Sequence, residues 1–390
     1  MTKLTRLQQV SVKFANWLKQ ESIPLWATKG IDATTGGSHE RLTLQGEPDL
    51  ECNRRVRVNY RQMFVFAMAN ELGWIDNGQQ LVNQLHQFVN RYGANPEQPG
   101  TYAHLLGPQG NILDSKQDTY DLAFYLLSCA WRFRAFEDTK AMQEADAMMA
   151  NLDSYIKGLK GGWLEGDYSA DKRRQNPHMH LFEAFMALYD ASQQPKWLAR
   201  AGEIFNMFES HFYDAGARVL LEYFNADWTP QFGTHGKIVE PGHMLEWVWL
   251  LREYSDRTSA PVDSYANTLY DNAIAFGKNV TGLIYDETTE TGKVIKATKR
   301  CWPMTELIKA SVAQAKQATD AELKAQYEDN AAEAIEVLME FYVNNDVKGG
   351  YFDQLDADDK VIAEFAPAST LYHLIIAARE ALNYCNQTDA

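Results

Sequence analysis

Five residues sit where they could do chemistry: Arg61, Tyr120, His180, His243 and His373 each open a stretch of about a dozen residues that is otherwise apolar. An imidazole titrates near neutrality and can both take and return a proton. Histidines brought to one place therefore suit proton abstraction next to a carbonyl group. Two of the three carry a glutamate three positions on, as His180-Leu-Phe-Glu183 and His243-Met-Leu-Glu246. On a helix, that spacing lets the carboxylate cap the first turn, or face the imidazole, hold its tautomer and raise its basicity. We read Glu246 in the second way. Glu240-Pro-Gly242 reads as a tight turn that aims His243.

Rival chemistries have weaker support. His178-Met-His180 offers two metal ligands, but residues two apart on a helix diverge and Pro177 places His178 at the helix start. No metal site is expected. Hydrolysis of a glycosidic bond needs a carboxylate pair across the sugar ring. Asp121, Glu183, Glu246 and Glu306 are available for that, yet imidazoles hold the prominent positions. No G-x-S-x-G, P-loop or strand-borne G-x-G-x-x-G is present, so acyl transfer and nucleotide chemistry find no footing. The four cysteines lie far apart without a C-x-x-C pair and read as buried free thiols.

The elements that must position these residues follow from the hydrophobic pattern. Segments near 3–20, 77–93, 138–156, 195–213, 261–279 and 321–343 are two-sided, with apolar residues at helical spacing. Between them run helices apolar on all sides, which must be surrounded by protein; they begin near 61, 120, 180, 243, 303 and 373. The near-constant spacing of about 60 residues marks one supersecondary unit repeated six times. Six inner–outer helix pairs closing on themselves make an all-α (α/α)6 barrel, expected as one domain over residues 1–390. Inner-to-outer links are short, whereas outer-to-inner links run to about 20–35 residues, so the long loops gather at one mouth where the inner helices begin. Hairpin signals in those loops (Gly161 to Asp167, Val219 to Trp228, Gly282 to Ile295, Gly349 to Val361) predict short β-hairpins around the mouth. Loop 24–53, with Gly36-Gly37, is the longest and the first choice for a lid.

Composition excludes several classes of partner. A net charge of −15 provides no basic face for nucleic acid or for an anionic membrane. No run reaches the ~18 apolar residues of a membrane span, and the N-terminus has no signal-like apolar block, so a soluble cytoplasmic protein is expected. A homo-oligomer is compatible with the sequence. A catalytically silent sugar-binding barrel is a further alternative, with Trp163, Trp228, Trp247 and Trp302 at the mouth to stack on sugars.

The motifs Arg55-Val-Arg-Val-Asn-Tyr-Arg61-Gln, Asn176-Pro-His-Met-His180-Leu-Phe-Glu183, Glu240-Pro-Gly-His243-Met-Leu-Glu246-Trp, Arg300-Cys-Trp302-Pro and Leu371-Tyr-His373-Leu, in this order and spacing, resemble the N-acylglucosamine 2-epimerase superfamily over essentially the whole chain. The resemblance implies an (α/α)6 barrel, His243 and His373 as acid/base catalysts and Glu246 as support for His243. It also implies that Arg61, Tyr120, Asn176, His180 and Trp302 bind a monosaccharide or help open its ring, with no metal or organic cofactor. Departures at Arg57, at 232–237, where no arginine precedes the catalytic histidine, and at 366–370 point away from a sulfonated substrate. The pattern is most similar to the mannose isomerase branch. Isomerisation of D-mannose or D-lyxose to the ketose and 2-epimerisation of an aldose both need the same two imidazoles; the sequence leaves that choice open, along with which histidine acts first.

Overall fold

A computed structural model describes residues 4–388. The chain starts with α1 (Arg6–Trp17), which passes through one π turn (Leu18–Ser22) into α2 (Ile23–Thr28); α3 (Val56–Glu71) is the first inner helix and α4 (Gly78–Phe88) packs outside it. The alternation continues with inner α5 (Thr119–Phe136), outer α6 (Thr139–Tyr155), inner α7 (Asn176–Ser192) and outer α8 (Pro195–Met207). It ends with inner α9 (Pro241–Thr258), outer α10 (Asp263–Gly277), inner α11 (Trp302–Gln317), outer α12 (Ala321–Phe341) and inner α13 (Thr370–Thr388). Each inner helix packs on the next and α13 returns to α3, which closes the ring; α1 covers α13 and completes the sixth pair.

Burial explains the division of labour. In α7 the residues from Pro177 to Met186 are buried without a break, whereas in α8 only Trp197, Ala201, Ile204, Phe205 and Met207 are. At about 1.5–3 kcal/mol for each large apolar side chain removed from water, an all-round apolar helix is stable only inside a ring of others. Helix starts carry local signals: Thr5 and Gln8 form a capping box, Asp118, Asp138 and Asp320 cap α5, α6 and α12, and Pro177, Pro241 and Pro303 sit in the first turns of α7, α9 and α11. Inner helices α5, α7 and α9 end on left-handed Glu137, Gln193 and Ser259, which turn the chain at once into its outer partner.

The inner helices begin earlier than the apolar pattern predicts. Arg61 and His180 lie in the second turn of α3 and α7, not at their first residues, because polar first turns such as Val56-Arg-Val-Asn hide the boundary. Glu240-Pro-Gly242 is likewise no separate turn; Glu240 is the N-cap residue of α9, and Pro241 and Gly242 are its first two residues.

The mouth is built differently from a set of independent hairpins. The strand before each inner helix pairs with the following loop: Arg54–Arg55 with Leu105–Leu106, Arg173–Arg174 with Tyr223–Phe224, Ile238–Val239 with Thr288–Thr289, Lys299–Arg300 with Gln354–Leu355, and Phe365–Pro367 with Arg41–Thr43. An isolated bridge from Asp118 to Gly166 supplies the sixth link. The predicted hairpin at Gly161 is therefore bridges alone, whereas Glu287–Thr289 and Val294–Lys296 do form one. The same arginine staple recurs three times in this belt. The backbone N–H and Nε of Arg55 donate to Glu40, those of Arg174 to Glu165 and those of Arg300 to Asp286. Segment 24–53 is stitched into the belt by its pairing with 365–367, by Arg54 on Asp32 and by the Ser38 N–H on Asn59, so it lacks the free span of a flap. Among the described residues no helix is long and apolar enough to cross a membrane.

Candidate active site

A cavity of about 220 Å³ lies within the mouth, lined by Arg61, Tyr120, Asn176, His180, His243, Glu246, Trp302 and His373, together with Glu240, Arg300, Asp353, Ser369 and Thr370. All eight residues singled out from the sequence are in this one wall. They come from six inner helices, so only ring closure brings them together. A larger cavity of about 440 Å³ opens at the C-terminal ends of the inner helices. It is lined by no histidine, and several of its charges are paired with one another, as Arg134 with Glu71, Arg257 with Asp190 and Lys316 with Asp256.

His243 and His373 flank the indole of Trp302, with ring centroids 5.0 and 5.6 Å from it. Gly242 permits this approach: a Cβ there would lie 2.6 Å from the Trp302 ring. Both imidazoles are buried, and each sets its Nδ1 against a carboxylate, His243 on Glu222 at 3.0 Å and His373 on Glu306 at 2.9 Å. Their electrostatics are opposite. Burial pulls His243 down, but the charges of Glu222, Glu240 and Glu246 outweigh it and hold the ring up at about 9, so it is an imidazolium at neutral pH. Burial drives His373 well below 6.5, helped by the positive charges of Arg61 and Lys309, so it is neutral. Its Nδ1–H is committed to Glu306, which leaves the lone pair on Nε2. The Asn176 amide lies 3.0 Å from Nε2 of His243.

Arg61 supplies the fixed positive charge. It donates to the Tyr120 hydroxyl at 2.5 Å and the Ser369 carbonyl at 3.1 Å and stacks over Phe124; among the described residues it has no carboxylate partner and its buried Nε has no acceptor. Arg300 differs, because Glu240 and Asp286 already neutralise it. Beneath the histidines, Glu183 pairs with Nδ1 of His180 at 3.3 Å and accepts from Tyr372. Burial, reinforced by the charge of Glu306, pushes the Glu246 carboxyl well above the ordinary carboxylate range.

A family model described as N-acylglucosamine 2-epimerase matches residues 36–377, most of the chain. The chain belongs to the N-acylglucosamine 2-epimerase family. A relative from Rhizobium meliloti (strain 1021), named mannose-6-phosphate isomerase, is 32% identical over 94% of this chain and 95% of its own. The crystal structure of a D-mannose isomerase superposes with a TM-score of 0.86 at 22% identity, covering 95% of this chain and 97% of the other. That of a cellobiose 2-epimerase from Spirochaeta thermophila DSM 6192 gives 0.85 at 19% identity and 98% coverage of both chains. These likenesses establish the (α/α)6 barrel.

Within this family frame, several expectations change. The carboxylate on His243 is Glu222; Glu246 lies 3.9 Å from Nδ1 of His180, on the side of the cavity facing His180, Glu306 and His373. A residue three positions on along a helix faced its own histidine at Glu183, but at 246 the ring rotated toward the mouth loop. Glu222 was missed because it sits on an extended loop 21 residues upstream; its only signal was an acid inside the apolar run Val-Leu-Leu-Glu-Tyr-Phe. Lys309 was missed too, though a lysine three residues after Glu306 in an apolar helix is unusual. His178 points away from His180 into the aromatic cluster of Trp163, Phe212 and Trp228, and its Nε2 accepts the Trp163 N–H. Trp163, Trp228 and Trp247 are core residues, so Trp302 alone of the four tryptophans faces the cavity. Asp121 is occupied by Arg57 and His104, and residues 232–237 contribute no side chain to the cavity, whose second guanidinium is Arg300.

Proposed function

We propose that this enzyme interconverts D-mannose, and also D-lyxose, with the corresponding ketose, D-fructose in the first case. The observation that carries the proposal is two imidazoles facing one cavity on either side of Trp302, each held at Nδ1 by its own carboxylate, with burial pushing His373 down and neighbouring carboxylates raising His243, the arrangement that separates a base from an acid. The open-chain aldose lies against Trp302. Nε2 of His373 takes the C2 proton, the C1=C2 bond forms, and the carbonyl electrons move to O1, which receives a proton from His243. Arg61 stabilises the negative charge as it develops on oxygen. In the second half, His243 takes the proton from O2, C2=O forms, and His373 returns its proton to C1. His180 and Tyr120 line the same wall and are assigned to the sugar hydroxyls.

The charge balance of the cavity supports a neutral sugar. Arg300 is already neutralised, Glu240 and Asp353 line the mouth, and Arg61 is placed for the reacting oxygens, so a phosphate dianion would meet carboxylates without a free cation. The likeness to a protein named mannose-6-phosphate isomerase makes this a sharp comparison. Proton NMR with D-mannose in deuterated water tests the reaction: fructose carrying deuterium at C1 supports isomerisation, and glucose carrying deuterium at C2 replaces it by 2-epimerisation, which the same imidazoles serve if the proton returns from the opposite face. Sugar binding without exchange at C2 would leave a silent barrel. Faster turnover of D-mannose 6-phosphate than of D-mannose would refute the neutral-sugar assignment.

A further inference from the structure

Behind the carboxylates that hold His180 and His373 lies a buried ammonium. Lys309, on α11, exposes none of its side chain; its Nζ is 2.6 Å from Glu306 and 4.0 Å from the Trp249 ring centroid. A lysine is kept in such a place only when its charge is matched, and here three carboxylates face it, Glu306, Glu246 and Glu183. The arrangement is ordered by role. Glu183 holds His180, Glu306 holds His373, and Glu246 lies beside both. Lys309 does not itself line the cavity, so it acts from behind the wall.

We propose that Lys309 is a positioning residue for proton transfer: its ammonium keeps Glu306 ionised, so that Glu306 holds the Nδ1 proton of His373 and leaves Nε2 free to act as base. Without that charge, burial favours a protonated Glu306, which would donate to Nδ1 and turn the ring into the tautomer with a hydrogen on Nε2. The groups facing His373 are Glu306 and Lys309 from α11, Arg61 from α3, His180 and Glu183 from α7 and Glu246 from α9. Of the cations among them, Arg61 faces the cavity, and Lys309 is the one that also fixes the carboxylate on the ring.

The inference rests on His373 as the base, and its test separates the two. Steady-state kinetics with D-mannose across pH are measured for the full-length wild-type protein, Lys309→Met, Glu306→Gln and the double variant. For Lys309→Met, kcat falls by about tenfold or more with KM nearly unchanged, and the acid limb of kcat/KM moves up by about one pH unit, because the active form then needs a Glu306 that ionises only at higher pH. On the Glu306→Gln background, Lys309→Met adds no more than about a twofold loss, since the carboxylate it acts through is already absent. An unmoved pH profile with unchanged kcat, or an equal loss on both backgrounds, overturns the proposal. If Lys309→Met alone does not fold, the step from Glu306→Gln to the double variant, which removes both members of the ion pair, still tests the proposal, and a loss beyond about twofold there overturns it. Full turnover by His373→Asn would instead remove the base assignment on which the proposal stands.

Discussion

Replacing Glu222 by glutamine is the most direct test of how the site separates acid from base. Glu222 is buried, meets Nδ1 of His243 at 3.0 Å and is the largest of the charges that raise this ring to about 9. Glutamine keeps an oxygen for the Nδ1–H and the shape of the side chain but removes the charge. The whole elevation above the ordinary 6.5 corresponds to about 3 kcal/mol at ~1.36 kcal/mol per pKa unit, shared among Glu222, Glu240 and Glu246. As His243 must be protonated to donate to O1, its pKa governs the alkaline limb of the rate profile. Losing the largest share should move that limb down by about one to two pH units, leaving activity at pH 6 nearly intact and cutting it by about threefold to twentyfold near pH 8.5. Linkage gives a second reading of the same group. A histidine raised in the folded state contributes stability that is fully present below about 6.5 and is lost as pH rises through about 9. The variant should therefore be less stable than wild type at pH 6 and converge with it above pH 9. Ketose formation measured from pH 5 to 10, with NMR titration of the His243 ring, checks both. An alkaline limb that stays in place or rises, or a His243 ring that is neutral at pH 7 in wild type, would refute the assignment.

Further outcomes are expected elsewhere in the site. His373→Asn should cost about 10²–10⁴-fold in kcat while the thermal midpoint stays close to wild type, as read by turnover and calorimetry; retained turnover would move the base elsewhere. Burial lowers His178 to about 3 and His180 to about 4, so each withholds a proton that the unfolded chain takes up below about 6.5. Stability from these two is present above 6.5 and is lost as pH falls toward those values, about 2 kcal/mol each by pH 5, to be seen in urea unfolding at pH 7.5 and 5. Gly242→Ala should push Trp302 out of place, costing about 1–3 kcal/mol of stability and raising KM, because its Cβ would meet the indole at 2.6 Å. Unchanged KM in a folded variant would show that Trp302 is not a sugar platform.

By itself, the sequence determined the barrel and the membership of its inner wall. Six helices apolar on all sides, spaced about 60 residues apart, can be buried only by one another, and the polar residues at their mouth-facing ends then have nowhere to point but the cavity. Arg61, Tyr120, His180, His243 and His373 were legible for that reason, and the motifs around Asn176, Glu246 and Trp302 added the rest. What tertiary structure decided is how those residues are charged and held. Glu222 reaches His243 from a loop, Glu306 and Lys309 approach His373 from the neighbouring helix, and the mouth is stapled by strands that pair between loops as well as within them. Helical spacing fixes neighbours along one element, so Glu183 beside His180 was within reach of sequence reasoning. A pKa depends on every charge within a few ångströms in three dimensions, whichever helix carries it; two histidines in similar sequence settings therefore became an acid and a base only when the ring closed around them.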